Sequence, residues 1–223
     1  MGPVIGEVVP LALGVAISPI PVIAVILMLL SPRARGTGVG FLIGWMLGIA
    51  AAVVVFTVLS AVLPHGDDGQ PRPIRGTVTI VVGLLLLVIA LQHWRTRPAL
   101  GAEHALPTWM AAIDTLTAGR ALALGFLLAA LNPKNLLTAI AAGVAIGSDA
   151  RTTAETVVGV AVYTVIAAST VGIPVIAYLS ASARMARPLD RLRTWLVRNN
   201  GTIMAVLLVV IAAVIIGTGL GDF

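Results

Sequence analysis

The sequence contains no cysteine, a single lysine and little charge of either sign: charged residues fill 10% of its 223 positions. Without cysteine there are no disulfides, no thiolate nucleophile and no Cys-based metal site. The shortage of charge excludes more. Soluble domains carry roughly a quarter charged residues and about half apolar ones, whereas this chain is 59% apolar with a mean hydropathy of +1.06. A water-soluble globule of that length could not bury so much apolar surface, which rules out a soluble enzyme or a DNA-binding domain. Aromatic residues are also few, at 4%. No basic run is interleaved with them, so the pI near 11 does not signal nucleic acid. HExxH, GxSxG and Gly-rich phosphate loops are missing, and His65, His93 and His104 are scattered without metal-ligand spacing. The expectation is an integral membrane protein that is not an enzyme and holds neither cofactor nor metal.

Long apolar runs are what the sequence does have. A membrane helix needs about 20 mostly apolar residues, and six stretches qualify: Pro3–Leu30, Gly38–Leu63, Ile74–Trp94, Gly119–Ile146, Thr153–Ser180 and Gly201–Leu220. The first is too long for the apolar region of a signal peptide, and no basic residue precedes it. Basic residues set the direction of the spans. The connections after spans 1, 3 and 5 hold Arg33 and Arg35; Arg95, Arg97 and Arg120; and Arg184, Arg187, Arg191, Arg193 and Arg198. The opposite side has only Arg72, Arg75 and Arg151. The first side is therefore expected in the cytoplasm, with both termini outside. Two cytoplasmic connections also read as short amphipathic helices: Trp109, Ile113 and Leu116 share a stripe after Pro107, and Leu189, Leu192 and Trp195 share one after Pro188. Such helices lie in the headgroup layer or against the protein's own cytoplasmic face.

The two halves of the chain echo each other. Ser18-Pro19-Ile20-Pro21 in span 1 matches Asn132-Pro133-Lys134-Asn135 in span 4 at an offset of 114, and Gly44 matches Gly159 at 115. Gly76-Thr77-Val78 matches Gly201-Thr202-Ile203 at 125, the longer offset fitting the longer Arg-rich connection in the second half. Three spans per repeat is an odd number, so the second copy is expected upside down. The predicted organisation is an all-α membrane protein of two inverted three-helix repeats, residues 1–95 and 119–223, joined by a cytoplasmic segment over 96–118. Inverted repeats with interrupted helices at matching positions mark secondary transporters, whose sites lie at mid-membrane.

The prolines give those positions a physical meaning. Proline lacks an N–H and clashes with the carbonyl four residues back, so Pro19 frees the carbonyl of Val15, Pro21 that of Ile17 and Pro133 that of Ala129. Ser18 and Asn132 are good N-caps, and proline suits the first helical position. Spans 1 and 4 thus read as broken helices that start afresh near the bilayer centre. Two half-helix N-termini, each partly positive, would meet there beside Lys134, and an intramembrane cation is usually functional. Together they describe a site for a phosphate, sulfate or carboxylate group. The plainer alternative is that the prolines, Pro174 included, only kink helices, while Lys134 pairs with an acid or a freed carbonyl. Re-entrant hairpins are disfavoured because they would put the five-Arg connection outside. Gly36, Gly40, Gly44 and Gly48 recur every four residues, a smooth face for close helix contact. Glu7 and Glu155 lie about a turn inside spans 1 and 5 near the outer surface, as interfacial acids or as sites for a coupling proton.

Several segments carry a resemblance. Ser18-Pro-Ile-Pro followed by Leu30-Ser-Pro-Arg-Ala-Arg, then Trp109-Met-Ala-Ala-Ile-Asp, Leu131-Asn-Pro-Lys-Asn-Leu and Trp195-Leu-Val-Arg-Asn-Asn, resembles the GAP family. These are actinobacterial six-span proteins, sulfolipid-1-addressing-protein-like, within the LysE exporter superfamily. The resemblance covers essentially the whole chain and implies export of glycolipids across a bacterial plasma membrane. The expected function is a transporter that moves an anionic (glyco)lipid towards the outer leaflet, with Ser18, Pro19, Pro21, Asn132, Pro133, Lys134 and Asn135 lining its site. Superfamily relatives export amino acids or metal ions, so an amino-acid-type exporter is the alternative; a third reading is an accessory protein that escorts a lipid pump or synthase. A metal exporter would need several midplane carboxylates, and none is there. The partners expected are membrane lipids, and the glycine face and interfacial helices would support a homodimer without requiring one.

Overall fold

A computed structural model describes residues 2–60, 73–95, 116–150 and 152–221. Within them the chain forms helices joined by short turns, with no strand: α1 Gly2–Ala16, α2 Pro19–Leu29, α3 Ala34–Ser60, α4 Pro73–Arg95, α5 Ala118–Ala130, α6 Pro133–Asp149 and α7 Thr153–Leu220. α7 is interrupted once, at Ala181, whose φ of −151° and ψ of 54° are not helical. It therefore has two limbs, Thr153–Ser182 and Arg184–Leu220.

Four of these helices, α3, α4 and both limbs of α7, are long and apolar enough to cross a bilayer. The α1–α2 and α5–α6 pairs pass the same test only together, and they bend by 53° and 63° at their breaks. At 1.5 Å per residue no half reaches the ~30 Å of a hydrocarbon core alone, yet at those angles the pairs extend roughly 35 and 38 Å end to end. The described residues thus hold up to six spans. Its surface agrees: Val58 and Leu59 on α3, Val88 on α4 and Ile173 and Ile176 on α7 are all more than half exposed. Such a surface would be a liability in water and is ordinary against acyl chains.

Small residues hold the helices together, because apolar side chains gain nothing by leaving lipid for protein and association depends on close contact. The glycine face read from the sequence is that contact. A Cβ on Gly40 or Gly44 would run into the carbonyls of Ala118 and Leu122 on α5, and one on Gly48 would lie 2.7 Å from the Phe126 carbonyl. In return, Gly125 of α5 seats against the backbone of Phe41 and Trp45. Gly143 and Gly147 of α6 continue the seam along Phe56, Thr57 and Ser60, and the Ser60 hydroxyl bonds the Gly143 carbonyl at 3.1 Å. The first limb of α7 pairs in the same way with α1: a Cβ on Gly159 would lie 3.2 Å from Val4, and the Thr170 hydroxyl bonds the Ala16 carbonyl. The second limb pairs with α4, where Gly83 meets Ala212 and Gly219 meets Gly76 and Ile80.

One expectation needs correction. The amphipathic stretch after Pro188 is helical, but it is not a separate interfacial helix; Arg184–Leu220 runs from it directly into the last span. The departure from helical angles within α7 lies earlier, at Ala181, and a proline in the first turns of a helix sacrifices little hydrogen bonding. Arg75, read at the start of span 3, lies in the first turn of α4 and is buried. The other amphipathic stretch, with Pro107, Trp109 and Ile113, lies outside the described residues, as do His65, Arg72, Arg97, His104 and Arg151.

The glycine seam makes a contrast that thermal unfolding in detergent can check. Gly44→Ala should destabilise by about 1–3 kcal/mol, the range for overpacking a tight contact. Gly217→Ala, where an added Cβ meets nothing within 4 Å, should be neutral or stabilising by up to about 1 kcal/mol.

Candidate functional site

The two helix breaks use one device. Ser18 (φ −85°, ψ 112°) and Asn132 (φ −70°, ψ 121°) are both extended, each immediately followed by a proline that opens the next helix. That geometry is what a residue before proline prefers. The caps differ, however. Asn132 Oδ1 accepts from the Lys134 N–H at 3.0 Å, as expected of an N-cap. Ser18 makes no capping bond, although its residue is buried, so the expectation that it caps α2 through its side chain is corrected. Pro19 fills the N1 position, so α2 is stopped and restarted by its proline alone.

A break leaves carbonyls without partners at the end of the preceding helix, and in hydrocarbon they must be satisfied by protein. At the end of α1, Ile17 N–H bonds the Leu13 carbonyl at 3.0 Å and Ser18 N–H turns in to Val15 at 3.2 Å. The Gly14 carbonyl, left over between them, accepts from Lys134 Nζ at 2.8 Å. The Ala16 carbonyl is taken by the Thr170 hydroxyl from α7. At the end of α5, Asn135 Nδ2 reaches back to the carbonyls of Ala129 and Leu128 at 3.2 and 3.4 Å. The Ala129 carbonyl is the one that Pro133 was expected to free.

Lys134 is 2% exposed, and the pairing with an orphan carbonyl that formed the plainer alternative is the one it makes. Its bond spans 120 residues and ties the second break to the last turn of α1, one turn before the first break. The carbonyl sits at a helix C-terminus, where a cation is favoured. It is nonetheless a neutral acceptor, and it supplies no counter-charge to the lysine.

Around Lys134 is a polar cluster that the motifs did not announce. Thr138, one turn on, donates to the Lys134 and Asn135 carbonyls at 3.1 and 2.9 Å, and the Tyr163 hydroxyl reaches Thr138 Oγ1 at 3.4 Å. Tyr163 is buried, and Asn135 Oδ1 is buried without a hydrogen-bond partner among the described residues. The i, i+4 spacing of Lys134 and Thr138 was a legible signal; the approach of Tyr163 and Thr170 from α7 was not. Of the expected site residues, Ser18, Pro19, Pro21, Lys134 and Asn135 are buried around the breaks, Asn132 is half-buried, and Pro133 is exposed.

The two acids singled out near span ends sit in defined local surroundings. Glu7 accepts from Arg75 Nη2 with both carboxylate oxygens, at 2.9 and 2.8 Å, across 68 residues. A cavity of about 80 Å³ adjoins that pair. Glu155 sits in the first turn of α7, whose N-cap Thr152 accepts from its N–H at 3.2 Å, the first half of a capping box.

Apolar spans, and two helix breaks whose freed carbonyls are covered by protein side chains, define a multi-pass α-helical membrane protein. The family described as Sap, sulfolipid-1-addressing protein (SfLAP), matches residues 8–221, and the chain belongs to that family. Comparison with the curated proteins and with the solved structures gives no match.

The difference between the caps is measurable. Asn132→Ala should cost about 1 kcal/mol of unfolding free energy, the usual price of a lost N-cap. Ser18→Ala should stay within about 0.5 kcal/mol, as for substitutions that remove no defined interaction. Equal losses at both positions would show that Ser18 holds its break through its side chain after all.

Proposed function

We propose that the protein is a membrane translocase that moves an anionic (glyco)lipid from the inner to the outer leaflet, its headgroup passing Lys134 at the junction of the two breaks. The observation that carries this reading is Lys134 itself: an ammonium 2% exposed whose side chain bonds only the neutral Gly14 carbonyl among the described residues. A buried cation is costly without a counter-charge. An oxyanion would supply one, the Tyr163 hydroxyl is a donor in the same cluster, and Asn135 Oδ1, without a partner among the described residues, would accept from a headgroup hydroxyl. The family description links the chain to sulfolipid-1 addressing, and a sulfolipid carries an anionic headgroup of this chemistry.

The architecture supports a transport role. α3 pairs with α5 and α6, while the first limb of α7 pairs with α1, so each broken segment packs on the unbroken helix of the other half. α4 and the second limb of α7 pair with each other. That exchange is the pattern two inverted three-helix repeats would make, and it favours the repeat division at 1–95 and 119–223 and a LysE-type exporter architecture. We read the bent pairs as single spans, which gives six spans with both termini outside a bacterial plasma membrane and the Arg-rich connections in the cytoplasm. On this reading the protein is not an enzyme.

The test is lipid movement in vesicles reconstituted with the full chain, followed by dithionite quenching of tail-labelled phosphatidylglycerol. Lys134→Gln keeps a hydrogen-bond donor and removes the charge. It should fold, with a loss of no more than about 1–3 kcal/mol for a weakened buried hydrogen bond, and should slow outward movement at least tenfold. Movement at the wild-type rate would reduce Lys134 to a helix pin and favour an accessory role. Transport of free amino acids, with none of lipid, would favour the small-molecule exporter.

A further inference from the structure

We propose a second oxyanion site, formed by Arg33 and Arg35 at the turn between α2 and α3, which receives the anionic headgroup before it reaches the helix breaks. The two arginines line an open cavity of about 700 Å³ together with Ser31, Thr37, Thr117 and Tyr178. That volume is in the range of small-molecule sites. The lining contains no carboxylate, and neither guanidinium has an ion-pair partner among the described residues. Both arginines are exposed to the cavity side of the protein, so their charge is available to a ligand.

The chemistry around them suits the same class of group. Guanidinium forks pair with phosphate, sulfate and carboxylate through parallel N–H bonds. The Tyr178 hydroxyl adds a donor from the first limb of α7, and the cavity lies at the start of both α3 and α5. The hydroxyls of Ser31 and Thr37 are committed to the carbonyls of Met28 and Arg33, at 2.8 and 3.0 Å, and so fix the turn that aims the arginines. Arginines that served only to orient the protein in the membrane would need no cavity.

In the orientation proposed above, this end of the molecule faces the cytoplasm, where the substrate of an exporter is loaded. Only that role rests on the export reading; the binding site rests on other residues, away from Lys134. α2 runs from the breaks to this cavity, so the two anion sites stand at its opposite ends.

Binding of tail-labelled phosphatidylglycerol and phosphatidylcholine to the purified full chain in dodecyl maltoside tests the site. The wild type should prefer the anionic lipid at least tenfold. Arg33→Gln with Arg35→Gln should abolish that preference, while Arg33→Lys with Arg35→Lys should keep most of it and so report on folding. Arg191→Gln with Arg198→Gln removes the same charge elsewhere on this face and should change binding less than twofold. Lys134→Gln should still bind with the wild-type preference, which separates this site from the midplane one even if transport fails. Displacement by millimolar inorganic phosphate would support the same oxyanion site with a free anion as its ligand. A preference that survives the Arg33 and Arg35 substitution, an equal loss in the Arg191 and Arg198 control, or no preference in the wild type would overturn the proposal.

Discussion

In a bilayer no water comes to the aid of an unpaired backbone carbonyl, and this constraint shapes the molecule more than any other. Two prolines interrupt two spans, and each interruption leaves carbonyls that protein must cover. Lys134 and Thr170 serve the end of α1, and Asn135 serves the end of α5. These three side chains come from α6 and α7, so the breaks are stable only while those helices stay in place. The Lys134 bond fixes α6 against α1, and the Thr170 bond fixes α7 against it. The position of the breaks and the packing of the helices are thus one problem with one solution.

That solution requires very close helix approach, and glycine provides it. Gly40, Gly44 and Gly48 let the backbone of α3 touch that of α5. With α3 so close, α6 comes within reach of Ser60, whose hydroxyl spans the interface to Gly143. A bulkier residue in this seam would separate the broken segment from its support. The exposed valines and isoleucines matter much less, because they face a solvent as apolar as themselves. Packing in such a protein is least tolerant of added bulk where backbones touch, not where side chains are largest.

What was legible in the sequence follows the same physics. Spans are visible because length and apolarity are local properties, and the breaks are visible because Ser-Pro and Asn-Pro restrict the backbone wherever they occur. The glycine row announced a contact face, though not that α5 would occupy it. Interactions between distant residues left no local trace: Glu7 with Arg75, Thr138 with Tyr163 and Thr170 with Ala16 are set by tertiary packing. Arg75 was legible as a charge at the start of its span, but its burial was not, because that depends on the distant Glu7. The stretch after Pro188 read as a short helix within a connection because its charges are dense, although it runs unbroken into the last span. Ser18 shows the limit of a residue-type rule, since proline at N1 can start a helix without help from the cap.

The Lys134 contact also bears on how a headgroup would displace it. Drawing the ammonium onto an anion leaves the Gly14 carbonyl without its 2.8 Å partner, and an orphan carbonyl in hydrocarbon would oppose the exchange. A replacement donor is one small backbone adjustment away. The Ser18 N–H now bonds Val15, three residues back, at 3.2 Å; relaxing to the ordinary four-residue spacing would direct it to Gly14 instead. The Val15 carbonyl then becomes the orphan, at the break, where a hydroxyl of the incoming headgroup would donate to it. Freeing the lysine would therefore lengthen α1 by part of a turn and shift an unpaired acceptor towards the substrate. On this account Lys134 serves as a helix pin when the site is empty and as a counter-charge when it is filled. On the proposed reading the break at Ser18-Pro19 would let one residue do both, because an uninterrupted helix would have no spare carbonyl to give up.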